Sequence, residues 1–171
     1  MGSGLVVLWL LVLVEGMAIV ILMREIGRLH LRLGPVLGAR ATADGPAVGA
    51  PAPQFTVEDG EARAWALGGP APRPRLLLFV SERCSACRRL LPSVVPFARS
   101  QPEVDVLVSL HAEAGSPYET AVRPLPILRD QSLPVVFGVR RFPYALMIGA
   151  DGIVRGKGIV NTLDHLESLV A

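Results

Sequence analysis

The sequence predicts an α/β sandwich with a mixed central sheet, carried behind one N-terminal transmembrane helix. Three observations predict it. Residues 4–23 form an almost unbroken apolar run. Leu76 to Val80 is a short continuous apolar run, as expected of a strand covered on both faces. From there to the C terminus, strand-like and helix-like segments alternate. A chain of 171 residues has room for one domain and an appendage. With 17 basic and 15 acidic residues there is no field to hold a polyanion, so nucleic acid is excluded as a partner. Two cysteines exclude a disulfide-stapled scaffold, a two-site iron–sulfur protein and an all-cysteine zinc site.

Residues 1–3 are a short tail, and residues 4–23 are long enough as a helix to cross the ~30 Å hydrocarbon layer of a lipid bilayer. No Lys or Arg precedes the run, and the A-x-A pattern Ala41-Thr42-Ala43 lies far beyond it, so the segment reads as a permanent anchor rather than a cleaved signal. Glu15 sits near its middle, where an acid costs about 2.5–3.5 kcal/mol. It reads two ways: as a contact to a membrane partner, or as one protonated carboxyl tolerated by an otherwise apolar helix. Arg24, Arg28, Arg32 and Arg40 follow the run, a bias that favours a cytoplasmic C-terminal part, although long domains translocate regardless of such charge.

Residues 24–33 extend the helix as an amphipathic stalk until Gly34-Pro35 ends it. Residues 34–47 are Gly-, Pro- and Ala-rich without periodicity, a flexible linker. Residues 48–171 are the domain. Phe55 to Val57 and Glu61 to Leu67 form a hairpin around Glu58-Asp59-Gly60, with Trp65 in the core. Cys87 to Gln101 is a helix, Val104 to Leu110 a second buried strand, and Ser132 to Val139 a short or irregular helix. Tyr144 to Ile148 and Ile153 to Lys157 are strands joined by Asp151-Gly152. A last helix runs from Thr162 to Val170, capped by Asn161 or Thr162, with Asp164, His165 and Glu167 on its solvated face. His111 reads as a loop residue.

The chemistry concentrates in Cys84-Ser85-Ala86-Cys87, between the first buried strand and the helix. Amides at a helix N-terminus favour a thiolate there, bringing such thiols into the range of roughly 3.5–7.5. Arg83, Arg88 and Arg89 add positive charge, and Glu82 is the neighbouring acid. Cys84 is the candidate nucleophile and Cys87 the resolving thiol. A c-type haem needs His where Arg88 stands. Zinc needs two more ligands from His30, His111 and His165, which are scattered over the chain. Two buried structural cysteines remain the bland alternative. Phe142-Pro143-Tyr144 opens a strand; it reads either as an ordinary trans proline at a strand start or as a cis proline that would leave backbone groups free to pair with a client chain, with Phe142 and Tyr144 as an apolar rim.

These residues resemble the thioredoxin-like superfamily in its membrane-tethered redoxin branch. The resemblance rests on Val48-Gly49-Ala50-Pro51-Ala52-Pro53-Gln54-Phe55, on Leu76 to Val80 running into the cysteine pair, on Pro92 inside the helix, and on Pro143 in the cis-proline position. The stalk from Arg24 to His30, Gly45 to Gly49, and the tail from Gly156 to Leu169 look like the methylamine utilisation family MauD. The resemblance implies a three-layer thioredoxin-like sandwich on the periplasmic side of the inner membrane. It also implies a redox-active Cys84–Cys87 disulfide with no other cofactor. The implied client is a disulfide-containing secreted protein, the small subunit of methylamine dehydrogenase. Two features depart from the pattern: Ser85-Ala86 lacks the usual proline, and Leu76 to Val80 carries no acid, which leaves Glu82 or water to take the proton. Two rival functions stand beside maturation: a tethered reductant for apocytochrome c, and a non-catalytic membrane scaffold.

Overall fold

The computed structural model describes residues 44–171, together with residues 9, 10, 12, 15–17 and 19. Those N-terminal positions are helical, and Trp9, Leu10, Val12, Met17 and Ile19 are exposed. Among the described residues no helix is long and apolar enough to cross a membrane. The remainder of the expected anchor, the stalk and the linker as far as residue 43 lie outside the described residues.

The element order is β1 (Thr56–Glu58), β2 (Ala64–Ala66), β3 (Arg75–Ser81), α1 (Ser85–Ser100), β4 (Asp105–His111), α2 (Pro117–Val122), β5 (Ile127–Leu128), α3 (Leu133–Val136), β6 (Tyr144–Ile148), β7 (Val154–Ile159) and α4 (Leu163–Val170). Five strands make one sheet in the order β5-β4-β3-β6-β7. β3, β4 and β5 are parallel, whereas β6 runs antiparallel to β3 and β7 antiparallel to β6. The sheet is therefore mixed, with the fully buried β3 in the centre.

Strand alternation explains the layers. Leu76, Leu78 and Val80 enter a core with Leu90, Leu91, Val94 and Phe97 of α1 and with Leu166 and Leu169 of α4. Leu77 and Phe79 point the other way, toward Trp65, Leu133, Phe137 and Tyr144. Every residue of β3 is buried because both faces are covered, so period-two patterning is absent there. Truncating such a leucine to alanine costs about 2–5 kcal/mol.

The hairpin forms β1 and β2 with Val57 opposite Trp65. Its turn is tied by Asp59, whose carboxylate accepts the amides of Glu61 and Arg63 and the Trp65 indole, the last at 2.8 Å. These donors, the indole foremost, hold the Asp59 carboxyl below its usual value. Trp65 is core, as expected, and Arg63 stacks 4.3 Å above its ring.

Several local readings change. α2 and β5 lie in a stretch without apolar periodicity; α2 starts because the Ser116 hydroxyl accepts the Tyr118 amide and Pro117 opens the first turn. α1 runs through both Pro92 and Pro96, while its buried stripe packs on the sheet. Thr162 caps α4 without a side-chain bond; instead, the His165 ring accepts the Asn161 amide at 3.3 Å. His165 is thus half-buried, while Asp164 and Glu167 are solvated. His111 is not in a loop but closes β4, because parallel pairing continues to its register with Ser81.

Candidate active site

β3 ends at Ser81, and the chain turns at once into α1, placing Cys84 as the N-cap of that helix. Extended backbone at Cys84 lets its sulfur accept the Cys87 amide at 3.1 Å. The Cys84 amide itself donates to the Ser81 carbonyl at 3.1 Å. The first sulfur therefore caps the helix by accepting an amide that the helix itself leaves without a partner. Cys84 is half-buried and Cys87 fully buried, both as free thiols.

Burial pushes the Cys87 thiol up to about 12 from an ordinary 9.0, with the contact to Cys84 adding to the rise and a backbone hydrogen bond at Ser81 offsetting part of it. Cys87 is held as a neutral thiol near neutral pH. The accessible sulfur of the pair is Cys84.

Glu82, Arg83, Arg88 and Arg89 are exposed, and among the described residues none of them forms an ion pair. The direct donor to the Cys84 sulfur is an amide, not a guanidinium. Glu82 and Arg83 instead line a cleft of about 470 Å³ with His111, Ala112, Glu113 and Gln131. The β3–β4 register brings His111 there, and its ring stacks on Phe142 at 6.2 Å between centroids. The signal in the sequence is that His111 directly follows the apolar run Val104 to Leu110.

The Phe142–Pro143 peptide is cis, and Pro143 stands immediately before β6. Antiparallel pairing of Phe79 with Tyr144 carries these two residues toward the Ser81 end of β3. Phe142 is half-buried and packs on the same core cluster as Cys84. Tyr144 does not form a rim for a client: it is fully buried on the opposite face, against Phe79, because strand alternation turns it inward. Its hydroxyl donates to the Asp44 carbonyl at 2.7 Å. A second cis bond, Arg123–Pro124, lies before β5. Among the described residues, no group of three or more His, Cys, Asp or Glu side chains is placed to hold a metal ion.

No family model matches the sequence. The chain is 33% identical over 172 residues to the methylamine utilization protein MauD of Paracoccus versutus, covering 96% of this chain and 85% of that protein. The chain belongs to the MauD family. MauD of Methylorubrum extorquens is 34% identical over 174 residues, covering 96% of this chain and 82% of the relative. Solved structures similar to this MauD-family chain include MTB dsbF in mixed oxidized and reduced forms, with a TM-score of 0.56 at 20% identity, covering 68% of this chain and 91% of that one. StoA from Bacillus subtilis gives 0.54 at 16% identity, covering 72% and 97%. The fold of this MauD-family chain is thioredoxin-like.

Proposed function

We propose that the chain is a membrane-tethered thiol–disulfide oxidoreductase working through Cys84 and Cys87 in the maturation of a secreted, disulfide-containing client. The observation that carries this reading is the unequal pair: Cys84 caps a helix within reach of solvent, and Cys87 is sealed beneath it as a neutral thiol. In the oxidised protein, a client thiolate attacks the Cys84 sulfur, the Cys84–Cys87 bond breaks, and Cys87 leaves and takes up a proton. A second client thiolate then attacks the client sulfur of the mixed disulfide. The client gains a disulfide, Cys84 departs as thiolate, and two electrons pass to the protein.

The client we propose is the small subunit of methylamine dehydrogenase, in keeping with MauD-family membership. Residues 4–23 hold the protein in the inner membrane with the redox domain on the periplasmic side, the apolar run supporting the anchor. The test is Cys87→Ser in the native cell. Expected is an adduct at Cys84, released by dithiothreitol and containing that subunit: in this variant the lone Cys84 thiolate attacks a client disulfide, a client thiolate leaves, and no Cys87 is present to displace the client, while the Cys84 that remains unreacted labels from outside with a membrane-impermeant thiol reagent. Apocytochrome c in the adduct would replace the maturation reading by the reductant one. Full function in a chain lacking both cysteines would reduce the protein to a scaffold.

A further inference from the structure

The segment whose composition reads as linker ends in a latch on the loop beside the cysteines. Asp44 is buried, and its carboxylate accepts Arg141 Nε at 2.9 Å. Its backbone carbonyl accepts the Tyr144 hydroxyl at 2.7 Å and Lys157 Nζ at 2.9 Å. The next carbonyl, Gly45, takes a second bond from Lys157 at 3.0 Å, and the Gly45 amide donates to Gly138 at 3.0 Å. Arg141 and Tyr144 are the residues on either side of Phe142–Pro143. One residue, far away in sequence, therefore grips that dipeptide from both flanks.

A buried carboxylate is expensive to desolvate and is tolerated only with good partners. Asp44 spends its charge on Arg141, while its carbonyl ties Tyr144 and Lys157, which belong to neighbouring strands β6 and β7. The result fixes the backbone on both sides of Phe142, whose ring stacks on His111 and packs on the core shared with Cys84. The Cys84 sulfur accepts the Cys87 amide and the Cys84 amide donates to Ser81, so the thiol's own hydrogen bonds are made within the turn between β3 and α1.

We propose that Asp44 is a positioning residue for exchange with polypeptides: it holds the Phe142–Pro143 loop in the conformation that seats a client chain beside Cys84. The proposal rests on the exchange reading above. Because the latch acts on the loop and not on the sulfur, its loss raises KM for a protein disulfide while the intrinsic reactivity of Cys84 stays the same.

The test uses the full chain in detergent micelles, with Asp44→Asn, Arg141→Gln and Lys157→Gln as three independent ways to open the latch. Each is assayed in turnover with dithiothreitol as the reductant against insulin, a polypeptide disulfide, and, pre-reduced and in a single turnover without reductant, against dithiobis(nitrobenzoate), a small disulfide that needs only the sulfur. Expected is a rise of about tenfold in KM for insulin with kcat and the small-disulfide rate both within about twofold of the parent. Arg141→Lys, which keeps a cation near Asp44, returns most of the loss. Equal losses with both probes would mean that the substitutions act on folding or on Cys84, and would overturn the proposal; so would an unchanged KM in all three variants. A parent chain inert toward both probes defeats the exchange reading itself and the latch role with it, a result that no variant-specific change resembles.

Discussion

Cys84→Ser leaves Cys87 as the sole thiol, fully buried and, in the parent, raised from 9.0 to about 12. At pH 8 a thiol shifted by that much holds about a thousandfold less thiolate than an ordinary one. Higher basicity makes each thiolate a better nucleophile, returning roughly 20-fold for a Brønsted slope near 0.45. The net expectation for the whole shift is reaction with a small aromatic disulfide up to about 50-fold slower than that of a cysteine peptide, before any steric hindrance is counted. Desolvation is the largest cause of the shift, and it survives the substitution, whereas the contribution from Cys84 does not. Release of the coloured thiolate is followed from pH 7 to 9.5. The rate constant should climb about tenfold per pH unit without levelling. A plateau near pH 9, or a rate equal to that of the peptide, would refute the assignment of Cys87 as the sealed, neutral member of the pair.

The same shift has a stability consequence. Because the folded value lies above the unfolded one, the unfolded chain deprotonates first as pH rises; the stabilisation is complete below pH 9 and is lost toward pH 12. Urea midpoints of the reduced chain should show a loss of about 1.4 kcal/mol by pH 10 relative to Cys87→Ala, and parallel curves would contradict it. Gly45→Ala should lower stability by about 1–3 kcal/mol, since φ is +75° and an added Cβ overlaps the Tyr144 hydroxyl. A thermal midpoint unchanged from the parent would show that the latch accommodates the methyl group. Capture of a client by Cys87→Ser and the split between insulin and small-disulfide kinetics complete the set.

The strands and helices that bury an apolar run or stripe were readable to within a few residues at each end. Tyr144 to Ile148 is a strand in both readings, because five apolar residues bounded by proline and glycine have few other folds available. β3 and α1 were readable for a similar reason, and with them the placement of the cysteine pair at a strand-to-helix junction. The stretch from residue 112 to 131 was not: α2 is held by a hydroxyl cap and by the Glu119–Arg129 ion pair at 2.6 Å, and neither leaves a periodic trace. Asp44 was hidden for a different reason. In a Gly/Pro/Ala-rich stretch one acid looks like solvated linker, and its partners lie 97 and more residues away.

By itself the sequence determined which segments form the sheet and its covering helices, and that two sulfurs share one helical turn, because hydrophobic period and local spacing are properties of neighbouring residues. Only the tertiary structure decided which sulfur is sealed, that Tyr144 belongs to the core and not to a rim, that His111 meets Phe142, and that Asp44 clasps the loop. Each of these depends on strand register and on burial, and both are set by contacts between residues far apart in the chain.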